Sequence, residues 1–585
     1  MNKNKNSLTL NNFRKVLLRQ KVFMQSLLVI FIFLNLIFAK HIGFCDESEP
    51  VYQAKAEAKT MVLQRELSIK EAITLALENN LDIMVDKFNP KMNEENITIE
   101  KSKFDPNYYL NVSADESIKP SGSSLAGANT VITKDAEWDT GFKGEILSGA
   151  TYSLDFTNKW TRTNSTFSSL NPQYVSQIQL NVTQPLLKNF GFDVNKTNIK
   201  IAKNNKDISI YQFKNTVMTT ISNVQKTYWD LVFNIENYKV TQLSLRRAKD
   251  FLEINKKQVE VGTLAPIDVT NAEAEVAKRE EAIIAAESAI KSIEDNLKQL
   301  INIKGDDNVW ETKIIPTDNP SSTPADFELE ECLRTAFTKR PDYLQALTDL
   351  DNKEIALKFA KNQLLPSLNL VGSYGLNGLS GKKQPSGFGG SSGQLIPTGK
   401  AKNTPEGLVY DNVLLVPSAP FDRRNNPLGE GYDSALQGIR SWDNFSWNIG
   451  LQLTIPLGNR AAKSSFTQKT LDSEKAITGL SNLRQKITVE MRNNVRNVRT
   501  NMEIIKASRK AREYAAKQLE AEEKKYEVGM STNFLVLQYQ EVLATAEATE
   551  LQAVINYNKS LVDVETSKGT ILEKNEIKLE EETKS

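Results

Sequence analysis

Histidine is almost absent from this sequence, cysteine nearly so, and no apolar run is long enough to cross a bilayer comfortably as a helix. The only histidine is His41, and the only cysteines are Cys45 and Cys332. That census leaves no His- or Cys-ligated zinc site, no Ser-His-Asp or Cys-His triad and no disulfide framework. No glycine-rich phosphate loop and no metal-ligand spacing occurs either. No catalytic, metal-binding or cofactor-binding residue is therefore expected. Charged residues make up 25% of the 585 positions, which excludes a polytopic helical membrane protein.

The one apolar stretch lies at the start. Lys3, Lys5, Arg14, Lys15, Arg19 and Lys21 precede the run SLLVIFIFLNLIFA at Ser26–Ala39. A basic segment followed by a short apolar core reads as a secretory signal, expected over 1–45 with cleavage after Ala39 or Cys45. Phe44 stands where a lipoprotein signal would carry a small residue, which argues against a lipidated Cys45. With Lys40, residues 1–45 hold seven basic groups and no acid, so their loss turns a formal charge of +1 into −6. That balance removes the electrostatic basis for nucleic-acid binding. Cys332, in Leu329-Glu330-Glu331-Cys332-Leu333, falls on the apolar face of a predicted helix and reads as a small core residue, not a reactive thiol.

The rest of the chain is one unit written twice. Ile69, Ala72, Ile73, Ala76 and Leu77 correspond to Leu329, Cys332, Leu333, Ala336 and Phe337, all at helical spacing. Gln184-Pro185-Leu186 corresponds to Ile455-Pro456-Leu457, and Val259-Glu260-Val261-Gly262 to Tyr526-Glu527-Val528-Gly529. Landmarks in the same order identify an internal duplication. The expected layout is an N-terminal extension at 46–66, a first repeat at 67–301, a connector at 302–326, a second repeat at 327–572 and a charged tail at 573–585. Residues 377–444 of the second repeat are Gly/Pro/Asn/Ser-rich and read as a long loop.

Each repeat reads as helix, strands, long helix, turn and helix. In the first, these are helices at about 68–103, 193–261 and 268–301 around strands at 107–183. In the second, they are helices at about 328–362, 461–528 and 534–572. The long helices would each reach roughly 100 Å, matched by two shorter ones end to end, and helices of that length need coiled-coil neighbours. In the strands, Trp447, Ile449, Leu451, Leu453 and Ile455 face one way and Asn448, Gly450, Gln452 and Thr454 the other. A transmembrane β-barrel strand reads this way, and so does a strand of a soluble sandwich. Export and the long helices favour the barrel, and one chain has so few strands that closure needs several chains. Trp138, Thr140, Phe142 and Ile146, with Tyr152, Leu154, Phe156 and Trp160, flank Ser148-Gly149 as an extra hairpin. Having no counterpart in the second repeat, it is expected to project into the external loops.

The chain resembles the outer-membrane efflux protein family, the TolC-like exit ducts. The residues that carry the likeness are LSIKEAITLALENNLDI at 67–83, Gln184-Pro185-Leu186-Leu187 ending in Asn189-Phe190-Gly191-Phe192, and Ile455-Pro456-Leu457-Gly458-Asn459-Arg460-Ala461-Ala462. The two turns, Val259–Asp268 and Glu527-Val528-Gly529, complete it, and the duplicated order covers about residues 67–572. The resemblance implies an α+β membrane protein: a long antiparallel α-helical barrel (a coiled-coil tunnel) plus a transmembrane β-barrel completed by trimerisation. Four strands per chain would make a barrel of twelve. It implies a homotrimer in the outer membrane of a Gram-negative-type bacterium, with a large periplasmic part, a periplasmic adaptor and an inner-membrane pump of RND or ABC type as partners. Outer-membrane lipid surrounds it, and no nucleic acid is involved. The implied function is passive efflux of small molecules, with type I polypeptide secretion as the alternative and no catalysis in either. An exported trimeric coiled-coil spacer or adhesin is the reading from another class. It leaves unexplained two β segments placed alike in two copies.

The resemblance also implies that the helix turns at the periplasmic tip dock the adaptor and form the closing iris. Here these are Gly262, Thr263, Leu264 and Asp268 in the first turn and Gly529, Met530 and Ser531 in the second. Positions that are acidic at the aperture of well-known relatives correspond to Leu535 and Gln538, and a basic locking residue corresponds to Ser531. The expectation is an iris held by packing and neutral hydrogen bonds.

Overall fold

The computed structural model describes residues 64–122, 128–166, 168–303, 309–383, 394–397, 401–404, 407–410, 413–416 and 429–578. The expected signal segment, most of the 46–66 extension and the end of the charged tail lie outside the described residues.

In the first repeat the elements are β1 (Gln64–Leu67), α1 (Ile69–Asn79), α2 (Leu81–Asp86), α3 (Phe88–Ser102), β2 (Asn107–Pro120), β3 (Thr130–Glu145), β4 (Thr151–Thr163) and β5 (Leu170–Pro185). They continue with α4 (Phe192–Asn195), α5 (Thr197–Glu260) and α6 (Pro266–Ile301). Next come β6 (Lys313–Pro316), α7 (Leu329–Lys339), α8 (Pro341–Gln363), β7 (Ser367–Lys383) and four short strands: β8 (Gln394–Pro397), β9 (Ala401–Thr404), β10 (Gly407–Tyr410) and β11 (Val413–Val416). The chain ends with α9 (Tyr432–Arg440), β12 (Phe445–Thr454), α10 (Arg460–Glu527), α11 (Asn533–Lys568) and α12 (Ile571–Lys574).

Helices α5 and α10 run unbroken for 64 and 68 residues, close to 100 Å each at about 1.5 Å per residue. Each folds back on the helix after its turn, α5 on α6 and α10 on α11. Helix α11 also packs on α5, and α8 packs on both α5 and α10. The apolar stripe of α1 (Ala72, Ile73, Ala76) is buried against α5 residues Val217, Ile221 and Val224. Its counterpart on α7 (Cys332, Ala336) is buried against Ile487, Met491 and Val495 of α10. Cys332 is thus a core residue, and burial pushes its thiol pKa up.

Each repeat was expected to open on one helix, and the structure breaks that helix at the same place in both. Asn80 (φ −63°, ψ 127°) and Arg340 (φ −66°, ψ 122°) both stand in extended conformation. Pro341 forces the second break, because proline disfavours the α region for the residue before it. At the first, the Asn80 side chain accepts from the Ile83 amide at 3.1 Å and donates to the Leu300 carbonyl at 2.9 Å. These bonds satisfy a new helix start.

The connector between repeats is bound into a polar belt. Strand β6 pairs parallel with β1, Gln64 opposite Lys313 through Leu67 opposite Pro316. Tyr228, fully buried on α5, receives the Thr317 and Asp318 amides at 3.1 Å each. Its hydroxyl lies 3.0 Å from the Leu67 carbonyl and 2.9 Å from the Asp318 carboxylate. Asp318 also caps α1, accepting from the Ile69 amide at 2.7 Å. In the second repeat, Tyr557 donates to Thr323 at 2.7 Å and receives the Ala325 amide at 3.0 Å.

The long strands form one antiparallel sheet of six, in the order β12-β7-β5-β4-β3-β2. Two expectations are corrected here. The hairpin around Ser148-Gly149 does not stand apart from the sheet: β3 pairs with β2 along the whole of β2, and β4 pairs with β5 from Thr151 opposite Thr183 to Thr161 opposite Gln173. The absence of a counterpart in the second repeat was a weak guide, because pairing depends on what lies alongside, not on repeat symmetry. The stretch 377–444 is not all loop either. Strand β7 continues to Lys383 on the β5 ladder, and α9 lies over the sheet. The glycines that made this stretch read as loop fit that packing. A side chain at Gly378 would collide with the Ala435 carbonyl.

Tyr228→Phe leaves the connector amides and the Leu67 carbonyl without their buried partner. Thermal unfolding of the detergent-purified protein should show a loss of about 1–3 kcal/mol, and Tyr557→Phe a loss of similar size. Unchanged unfolding in both variants would exclude the belt as a stabilising element.

Candidate functional site

The two turns that carry the expected tip residues are built alike. Helix α5 ends at Gly262 and α10 at Gly529, both with φ 77°. Gly262 N–H bonds Val259 O at 3.0 Å and Thr263 N–H bonds Gln258 O at 2.9 Å. Gly529 N–H bonds Tyr526 O at 3.0 Å and Met530 N–H bonds Lys525 O at 2.8 Å. This paired closure satisfies the last helix carbonyls and requires a left-handed residue, which glycine supplies without strain. The next helices start differently. Pro266 opens α6, whereas Thr532 caps α11 by accepting from the Leu535 amide at 3.4 Å.

A neutral network ties the two turns together within one chain. The Tyr526 hydroxyl lies 2.8 Å from Asn255 Oδ1 and 2.9 Å from Gln258 Oε1. Asn255 Nδ2 donates to Asn533 Oδ1 at 3.0 Å, and Asn533 Nδ2 donates to the Asp268 carbonyl at 2.8 Å. Burial first, then the nearby Asp268 charge, pushes the Tyr526 pKa up. Below this layer, Phe251, Leu519, Val536 and Leu543 form a small apolar core.

The expected residues fall into three settings. Thr263 is exposed, its hydroxyl donating back to the Gln258 carbonyl at 3.0 Å. The Ser531 hydroxyl donates to Glu522 Oε1 at 2.5 Å. Leu264, Asp268 and Leu535 are half-buried. Met530 points into solvent at 77% exposure, among the equally open Val261, Ile267, Val528 and Phe534. Gln538 is exposed, beside a groove between α10 and α11 that Ser508, Ala511, Val542 and Thr545 also line.

Sequence reasoning missed Asn255, Glu522, Tyr526 and Asn533. Asn255 and Glu522 are equivalent positions of the two repeats, each buried and each holding a turn. The signal available was a polar residue on an otherwise apolar helix stripe, shortly before each terminal glycine.

At the other end of the helices, the sheet has two unlike faces. One register row runs Tyr108, Phe142, Leu154, Leu180, Tyr374, Trp447 across all six strands. Near the helices this face is exposed, with Leu110 at 60%, Ile449 at 72% and Leu451 at 68%; further along, α9 covers it, with Tyr432 against Trp138 and Ala435 over Gly378. The opposite face carries Tyr109, Asp155 and Asn181, with the Tyr109 hydroxyl 2.6 Å and Asn181 Nδ2 3.1 Å from the Asp155 carboxylate. Strand-to-helix junctions close below it through left-handed residues, Asn189 and Gly191 in the first repeat and Gly458 and Asn459 in the second. No described helix is long and apolar enough to cross a membrane.

A sequence profile of the family described as outer membrane efflux protein matches residues 151–302 and 420–570. Among curated proteins, none matches by sequence. Among solved structures, the CmeC outer membrane channel of Campylobacter jejuni superposes with a TM-score of 0.57 at 15% identity, over 90% of this chain and 94% of that one. The outer membrane protein VceC of Vibrio cholerae gives 0.56 at 13% identity, over 86% and 96%. The open state of the Neisseria gonorrhoeae MtrE outer membrane channel gives 0.53 at 15% identity, over 90% and 97%. At such identities the likeness is one of fold.

Two predictions concern the turns. Gly262→Ala and Gly529→Ala meet no atom within 4 Å, so each should cost only the left-handed backbone term of about 1–2 kcal/mol, read as faster amide exchange at that turn alone. The Ser531 hydroxyl, then the Lys525 ammonium, holds the Glu522 carboxyl below the ordinary carboxylate range. Its contribution is therefore present above the unfolded value of about 4.3 and is lost as pH falls through the lower folded value. Ser531→Ala should shift that loss to higher pH. Exchange of residues 529–535 then rises at a pH where the native turn is still protected; identical pH profiles would rule the contact out.

Proposed function

Because the chain belongs to the outer membrane efflux protein family, whose members are non-enzymatic transport ducts, we propose that three copies join head to tail into one conduit. It carries small molecules from the periplasm through the outer membrane. The observation that carries this reading is the sheet itself, with one apolar face, one polar face and two unpaired edges, β2 and β12. In hydrocarbon an unpaired edge leaves backbone groups without partners, so a membrane sheet must close. Strand β2 leaves the helices and β12 returns to them, so β2 of one copy beside β12 of the next continues the antiparallel order. That contact is heterologous, and such contacts make a ring when the rotation between copies closes. The reading puts the apolar face in lipid and the polar face around water.

The helix turns are then the periplasmic tip. Exposed Val261, Ile267, Val528, Met530 and Phe534 support docking of an adaptor that couples the duct to an inner-membrane pump, together with Gly262, Thr263, Leu264, Asp268, Gly529 and Ser531. Leu535 and Gln538 are the aperture residues in this reading. The neutral Tyr526–Asn255–Asn533 network supports an iris held by packing and uncharged hydrogen bonds. An exported coiled-coil spacer has no use for a sheet with an exposed apolar face, so it is disfavoured.

The test is conductance in a planar lipid bilayer, with the mass of the detergent-purified mature chain measured in the same preparation. Discrete steps from a trimer are expected, without block by low concentrations of trivalent cations from the tip side. Steps should be larger for Leu535→Ala and Gln538→Ala. A monomer, or a protein that never enters the bilayer, would return the spacer reading; potent trivalent block would overturn the neutral iris.

A further inference from the structure

A sheet of six strands has two more than the helices below it account for. Strand β2 follows α3, β5 leads into α4 and α5, β7 follows α8 and β12 leads into α10; β3 and β4 have no helix of their own. We infer that the β3–β4 hairpin is part of the membrane wall itself, so that the closed barrel has eighteen strands instead of twelve. Because barrel diameter grows roughly in proportion to strand number, the opening is about one and a half times as wide. The inference rests on the three-copy duct proposed above.

Three observations support it. The first is pairing. Strands β2 and β5 do not touch each other in the ladder; the hairpin separates them for its full length. Strands β3 and β4 have 16 and 13 residues, and a tilted strand needs about 9–11 to cross a bilayer. Removing the hairpin from the wall would break two ladders at once.

The second is the continuity of both faces. Phe142 and Leu154 stand in the same register row as Tyr108 and Leu180, and remain 48% and 43% exposed. On the other face, Lys159 bonds Glu137 at 2.6 Å and Thr161 bonds Asp135 at 2.6 Å. Helix α9 covers this face only further along the strands, with Tyr432 against Trp138 and Ala435 over Gly378; at Phe142 and Leu154 the chain itself supplies no cover, and a hairpin standing in water beyond the membrane would gain nothing from apolar residues there. A hairpin in the wall requires them.

The third is the lower end. The Ser148-Gly149 turn is seated on the junction between β5 and the helices. Gly191 N–H bonds Ser148 O at 3.2 Å, and the Ser148 hydroxyl donates to Gln184 at 2.9 Å. A Cβ on Gly149 (φ 94°) would sit 2.3 Å from the Asn189 carbonyl, so only glycine fits. Asn195 Nδ2 bonds the carbonyls of Asn189 and Gly191 at 3.0 and 2.9 Å, fixing the seat. The two added strands therefore stand at the level where the other four meet their helices.

The test places an environment-sensitive fluorophore on single cysteines in a Cys45→Ser, Cys332→Ala background, in vesicles containing nitroxide-labelled lipid. Phe142→Cys and Leu154→Cys report the hairpin; Leu451→Cys on β12 reports whether the sheet is in the membrane at all. The expected result is quenching at 142 and 154 within about twofold of that at 451, and weak quenching for Thr157→Cys on the polar face. Strong quenching at 451 with none at 142 and 154 would overturn the inference while leaving the duct standing. No quenching at 451 would bring down the duct and the inference with it. Should the labelled variants fail to fold, electron cryomicroscopy of the unaltered chain in lipid nanodiscs decides: eighteen strands around the wall support the inference, twelve overturn it.

Discussion

Hydrogen bonding at a sheet boundary governs this protein. Water satisfies an edge strand; hydrocarbon does not. A sheet with one face made of Leu, Ile, Trp and Tyr has no soluble resting place, and its first and last strands have no partners of their own. In the duct proposed above, the chain meets both conditions by being incomplete, each copy finishing the next. The helical part follows from the same constraint. Residues 107 and 454 stand at the edges of the sheet and lead directly to helices, so in that duct the arrangement of edges would dictate which helices become neighbours between copies.

Duplication makes the helical part economical, because one solution to each local problem serves twice. Two long helices end in the same glycine-closed turn, and two opening helices break at an extended residue. Two buried tyrosines, one from each repeat, hold the connector. Where these shared devices differ between the repeats, the difference is chemical and not geometric. Asn80 makes its break with an amide, and Arg340 makes the matching one because proline follows it. Asn255 holds its turn with a neutral amide, whereas Glu522 uses a carboxylate.

Much of this was legible in the residues. The stripe Ala72, Ile73, Ala76 is the buried face of its helix, and the alternation from Trp447 to Leu453 is the apolar face of its strand. Both are local periodicities and need no partner to be read. The network at the turns was not legible, because Tyr526, Asn255 and Asn533 meet only after two helices fold back, and their separations in sequence carry no pattern. The membership of β3 and β4 in the sheet was misjudged for the same reason. Alternation reveals a strand but not its neighbour, and here the neighbour decides whether the strand is wall or loop. The glycines of 377–383 misled in the opposite sense: they lower strand propensity, yet a side chain at Gly378 would meet α9 and one at Gly381 would meet β5.

The belt around Tyr228 has a consequence in time. The first helix has a local cap, Ser68, and a distant one, Asp318, which lies 249 residues downstream of the amide it receives, and β1 has no partner until β6 exists. A chain emerging from its amino end therefore holds its opening helix by the Ser68 cap alone, with an unpaired strand ahead of it, until residues 313–318 have followed. Contacts of such long range are slow to form, and the first repeat is no independent folding unit. During that interval its apolar stripe is a surface for a holding chaperone or for misassembly. The belt closes late and sets the moment at which the helical part becomes a single body.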